Sequence, residues 1–126
     1  MPTYMFAAGV LALVVGVVHS VLGEILIFRQ LRNRSLVPAM PAPPVKERHV
    51  RIIWASWHVV TVFGWAFGAV LLQLSSASND QSAEALAVNA AIFAFAAGSF
   101  LVLVGAKGKH PGWIAMLGVA ALAWLG

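Results

Sequence analysis

Four apolar runs, parted by three polar segments, set the pattern of this chain. The first run, about residues 4–28, is apolar on every face and reads as one long helix. At 1.5 Å per residue it measures about 37 Å, enough to cross a hydrocarbon core of about 30 Å with some tilt. Further runs over about 51–74 and 83–104 predict two more spans. A shorter one, 110–125, lies near the lower limit for crossing. The expected fold is all-α: a single membrane domain over residues 1–126, built as a four-transmembrane-helix bundle.

Small residues mark the faces on which these helices meet. Gly9, Gly16 and Gly23 recur every seven residues in the first span, with Ala12 and His19 between them. That seam lets a neighbouring helix approach closely. Gly64 and Gly68 form a G-x-x-x-G in the second span, and Ala90, Ala94 and Gly98 a small-residue ridge in the third. The segment 29–50 carries Pro38, Pro41, Pro43 and Pro44 and reads as an extended loop. Pro44 to Glu47 restarts a helix, with Glu47 near the positive end of its dipole. Asp80 is the expected cap of the third helix, Gly105 and Gly108 its end, and Pro111 a first-turn residue of the fourth.

Composition settles the solvent. The chain is 61% hydrophobic and only 10% charged, against about 45–50% and about 25% in ordinary soluble domains. A soluble fold of this size cannot hide that much apolar surface, so the bilayer is its natural surroundings. The absence of cysteine removes disulfides, thiolate metal sites and covalent c-type haem. Met1-Pro2-Thr3 has no positive n-region, so the first run reads as a retained span and not as a signal peptide.

Charge then gives direction. The net charge is +4. All eight basic residues lie in or beside two of the three loops: Arg29, Arg32, Arg34, Lys46, Arg48 and Arg51 at the first, Lys107 and Lys109 at the third. The positive-inside rule places both loops in the cytoplasm of a bacterial inner membrane and both termini outside. The partners expected of these residues are anionic lipid headgroups and not nucleic acid, with a homo-oligomer or a partner membrane subunit as the protein partner.

Polar residues inside spans are the candidate chemistry. By helix rise, His19 lies about 15 Å from the basic boundary, His58 about 10 Å, Glu24 about 8 Å and Ser99 about 12 Å. The four share one layer of the cytoplasmic half and are the candidate ligand site. His19 and His58 are the candidate metal ligands, as an axial pair for a b-type haem or, with Glu24, for a divalent metal. Five residues turn about 140° around a helix, which sets His19 and Glu24 on different faces and weighs against the metal set. A second reading is a proton-coupled solute transporter in which Glu24 and the histidines exchange protons. A third is a partner subunit whose histidines only fix packing, held by Ser20, Ser56, Thr61 or Ser99. Glu24 is expected to pair with Arg29 or with an arginine of another element. His49 and His110 read as interfacial and structural, and the five tryptophans as belt and packing residues. No nucleophile elbow, phosphate loop or Asp–His pairing points to an enzyme.

The segment H-S-V-L-G-E at His19–Glu24, followed by R-I-I-W-A-S-W-H at Arg51–His58, resembles a group of small uncharacterised bacterial four-span membrane proteins. Those carry H-S-x-L-G-E in the first span and W-H in the second. The resemblance covers the first half of the chain. It implies that His19, Glu24 and His58 belong together, and it implies no activity. Four-span multidrug transporters also place a lone glutamate in the first span, but mid-membrane, whereas Glu24 lies near one end.

Overall fold

The computed structural model describes residues 2–76 and 80–126. Four helices follow in order: α1 (Pro2–Leu26), α2 (Glu47–Ser75), α3 (Ala83–Gly105) and α4 (Gly112–Leu125). No strand forms among the described residues. The first three helices are long and apolar enough to cross a membrane. Helix α4 has 14 residues, about 21 Å of rise, which is short of a full hydrocarbon core. Residues 77–79 of the expected polar turn lie outside the described residues.

The ends of the helices follow local chemistry. Ser82, and not Asp80, caps α3: its side chain accepts the Ala85 N–H at 3.1 Å. Serine at that position satisfies one of the free first-turn donors, and Asp80 lies two residues too early. Beyond Gly105 the chain turns through Lys107 and Gly108, both at positive φ, and the Gly108 N–H returns to the Leu103 carbonyl at 2.9 Å. That six-residue closure satisfies a helix-end carbonyl. Pro111 precedes α4 and its carbonyl accepts the Ile114 N–H at 3.0 Å.

Packing follows chain order: α1 on α2, α2 on α3, α3 on α4. No packed interface joins α1 to α4 among the described residues. The seven-residue glycine seam is the whole buried face of α1. Gly9 meets Gly68 and Leu72, Gly16 receives the Trp65 indole, and Gly23 the Trp57 indole. A Cβ at any of the three would collide with these groups, so the close approach requires glycine. The G-x-x-x-G of α2 divides. Gly68 rests on Gly9 and Ala12, but nothing lies within 4 Å of a Cβ at Gly64. Four residues turn a helix about 400°, so the two glycines are offset by about 40°, enough to turn Gly64 off the contact.

The segment expected as an extended loop is folded. Phe28–Leu31 make a 3-10 turn, and the Leu31 carbonyl accepts from both Ala39 and Met40. Ala42 and Val45 exchange two backbone hydrogen bonds around Pro43 and Pro44. Phe28 and Val37 are buried with Trp54, Ala55 and Val102. The prolines stiffen the segment, and its two apolar side chains anchor it over the ends of α1, α2 and α3. This buried cluster sits at the basic end of the molecule. Elsewhere the helices present large apolar side chains outward, Tyr4, Phe67 and Leu122 among them.

Candidate functional site

On α1, Ser20 and Glu24 are one turn apart and share a face. On α2, Trp54, His58 and Thr61 recur at the same spacing. The glycine seam brings the two faces together, and these five side chains join in one hydrogen-bonded chain. The Glu24 carboxylate takes three partners. Arg32 Nη2 donates to Oε2 at 2.5 Å, Trp54 Nε1 donates to Oε1 at 2.6 Å, and His58 Nε2 meets Oε1 at 3.0 Å. The other nitrogen, His58 Nδ1, bonds Ser20 Oγ at 2.9 Å. Ser20 Oγ bonds Thr61 Oγ1 at 2.8 Å, and Thr61 reaches the Gly16 carbonyl at 3.4 Å.

The chain has an open end and a closed one. Side-chain exposure is 30% at Glu24 and 27% at Arg32, falls to 14% at His58, and Thr61 is 4% exposed. It ends on a backbone carbonyl and leads no further. Beyond it, Trp65 Nε1 donates to the Leu13 carbonyl at 3.1 Å. Phe28 closes over the site, its ring centroid 6.2 Å from that of His58. The Trp54 ring packs edge-on against His58 at 4.9 Å.

Donor counting shows what this chain can do. Each hydroxyl has one proton to give. With His58 neutral and its Nε2–H directed to Glu24, Nδ1 must accept from Ser20, so Ser20 must accept from Thr61. With His58 protonated, Nδ1 donates to Ser20, Ser20 to Thr61, and Thr61 to the Gly16 carbonyl. Gaining or losing one proton therefore reverses every hydroxyl from Ser20 to Thr61 without breaking the chain. The long Thr61–Gly16 bond is the one made in only one of the two states.

Of the expected site residues, Glu24 and His58 are in direct contact. His19 is placed differently. Its ring stacks on the Trp57 indole, centroids 4.4 Å apart and planes 8° from parallel. The Trp57 N–H donates to the His19 carbonyl at 3.0 Å, and His19 Nε2 is buried without a partner. The two histidines thus meet different partners on one interface. Ser99 donates to the Trp113 carbonyl at 2.7 Å and joins α3 to α4, apart from the Glu24 chain. Glu24 pairs with Arg32 and not with Arg29, because the 3-10 turn brings the chain back toward α1. His110 accepts the Gly112 N–H at the start of α4, and His49 accepts from Arg48.

Both ring nitrogens of His58 are already bonded, and no three His, Asp or Glu side chains converge on a metal position among the described residues. The donor set is poor for a haem or divalent ion. Trp54 is the site residue that sequence reasoning misses, because an indole at a span end reads as a belt tryptophan. Its place one turn before His58 was the available signal. Comparison with known protein families, curated proteins and solved structures finds no match to this chain.

Proposed function

We propose that this is a multi-pass protein of a bacterial inner membrane, with four crossings and both termini outside, whose Glu24–His58 pair is a protonatable site coupled to a small solute. Three helices of spanning length support the membrane setting. The placement of all eight basic residues in or beside two of the three loops supports the orientation. The fourth crossing asks α4 to span with local bilayer thinning. The observation that carries the function is the hydrogen-bonded chain Arg32–Glu24–His58–Ser20–Thr61, in which the Ser20 and Thr61 hydroxyls can donate in either direction. Its open end faces the basic loop, so proton and solute exchange from that side. Reversal of the hydroxyls then couples occupancy at Glu24 to the α1–α2 contact.

The test has two parts. Infrared difference spectra on acidification should show a carboxylate or imidazole change in the parent that Glu24→Gln and His58→Asn remove. Vesicles under an imposed pH gradient should show solute-dependent proton entry, lost in the same variants. Folded variants with unchanged difference spectra would reject the protonatable site. Single cysteines at Ala42 and Asp80 should label from opposite sides, and same-side labelling would reject the orientation.

A second reading, a non-catalytic partner subunit, draws on the indole N–H groups of Trp57 and Trp65, which bond α1 carbonyls and hold α2 against α1. A cofactor reading through His19 and His58 would require His58 to give up one of its two bonds. A coloured or metal-loaded protein after purification would favour it.

A further inference from the structure

Arg51 lies in the first turns of α2 and is 7% exposed. Its guanidinium is permanently charged. Among the described residues no carboxylate pairs with it: both ion pairs belong to Glu24. Arg51 Nη2 donates to the Val104 carbonyl at 3.4 Å, and Arg51 Nε is buried with no partner. Val104 is in the last turn of α3, so its carbonyl shares the negative end of that helix dipole, worth about half a charge. It is divided further, because the Ala106 and Lys107 N–H groups also bond it. A buried cation so poorly matched calls for an anion.

The surroundings say which kind. Arg48 is three residues earlier on α2, on the same side of the helix. The α3–α4 turn, with Lys107 and Lys109, begins at Gly105, which packs on Ala55 and the Arg51 carbonyl. A planar guanidinium fork close to a lysine-bearing turn suits a phosphate group.

We propose that Arg51, flanked by Arg48 and Lys107, seats a phosphate group, supplied by an anionic lipid headgroup at the basic end of the helices. The inference rests on the reading that this end meets a headgroup layer. Filled, the seat neutralises Arg51 and ties the first turns of α2 to the α3–α4 turn. It lies one turn from Trp54, and so borders the Glu24 site without sharing a residue with it.

The full-length protein in phosphatidylcholine detergent micelles is compared with the same micelles carrying phosphatidylglycerol. Phosphatidylglycerol should raise the melting temperature by about 5 °C at saturation. Arg51→Gln should lose that increment, and Arg29→Gln, an exposed arginine, should keep it. If Arg51→Gln does not fold, Arg51→Lys keeps the charge but loses the fork. It should keep less than half the increment and bind fewer phosphatidylglycerol molecules by native mass spectrometry. Inorganic phosphate, added to phosphatidylcholine micelles, separates the sources. A phosphate-induced rise that also needs Arg51 shows the same seat filled from solution. Equal stability in both lipids without a phosphate effect, or an increment retained in Arg51→Gln, overturns the proposal. Release of the native protein from membranes by alkaline carbonate would instead overturn the membrane reading, whatever the lipid shift.

Discussion

The α1–α2 and α3–α4 interfaces are both made by pairs of highly apolar helices, yet they are held differently. Between α1 and α2, indole N–H groups of Trp54, Trp57 and Trp65 all donate into α1, and His58 and Thr61 add theirs. Between α3 and α4, one side-chain bond crosses, from Ser99 to Trp113, beside the contact of Gly98 with Met116. In a bilayer the apolar surfaces themselves give little preference for one partner, since lipid tails are equally apolar. Specificity must come from close approach and directional bonds. The first interface has both in quantity, and it is also where the titratable residues gather. The second is mainly a flexible side chain filling a notch.

The largest effect should come from closing the glycine seam. Gly16→Leu places a side chain where the Trp65 indole lies. The rigid indole cannot yield without losing its bond to Leu13, and the cost should be about 3 kcal/mol, the upper range for overpacking. Gly98→Leu meets the flexible end of Met116 instead and should cost about 1 kcal/mol, the lower end of that range. Thermal melts in detergent check both. Equal losses would mean that the two interfaces do not differ in rigidity.

Next in size is the coupling inside the polar chain. Glu24→Gln removes the charge that holds Arg32, and His58→Gln breaks the link to Ser20. Each alone should destabilise by about 2 kcal/mol, within the range for hydrogen bonds to charged groups. The double variant should fall short of the sum by about 1 kcal/mol, because the two share a bond. An additive double variant would mean that the Glu24–His58 contact contributes nothing. Ser99→Ala, the corresponding change at the second interface, should cost only about 0.6 kcal/mol, the average for such bonds between membrane helices.

Much of this contrast was legible in the residues. The heptad spacing of Gly9, Gly16 and Gly23 marked the packed face of α1, and apolar length alone gave three helices within a few residues of their ends. Glu24 and His58 stood out because charge inside an apolar run is costly. Other features depended on tertiary closure, which periodicity does not carry. Arg32 reaches Glu24 only because a 3-10 turn reverses the chain, and the proline-rich segment folds because Phe28 and Val37 find a gap between helix ends. Helix rise put Ser99 at the depth of the site, but depth does not fix azimuth, and its hydroxyl meets α4. Trp54 read as a belt residue because an indole at a span end ordinarily is one.

A pair of effects of only about 1 kcal/mol each is the most discriminating for the small-residue pattern itself. Gly64 and Gly68 are indistinguishable by sequence, both members of one G-x-x-x-G. In the structure a Cβ at Gly68 would stand 3.2 Å from the Gly9 carbonyl and from the Ala12 Cβ, while Gly64 has open space. Backbone atoms cannot move aside as a side-chain tip can. Gly68→Ala should therefore cost about 1 kcal/mol, the low end for overpacking. Gly64→Ala meets no neighbour and replaces glycine with the best helix former, a gain of up to about 1 kcal/mol. The two variants should thus shift the melting temperature in opposite directions from chemically identical substitutions. A matching loss at both positions would mean that Gly64 faces a helix after all, from a second copy or another subunit. Repeating the melts across protein concentrations would then identify a second copy of this chain by a concentration-dependent loss.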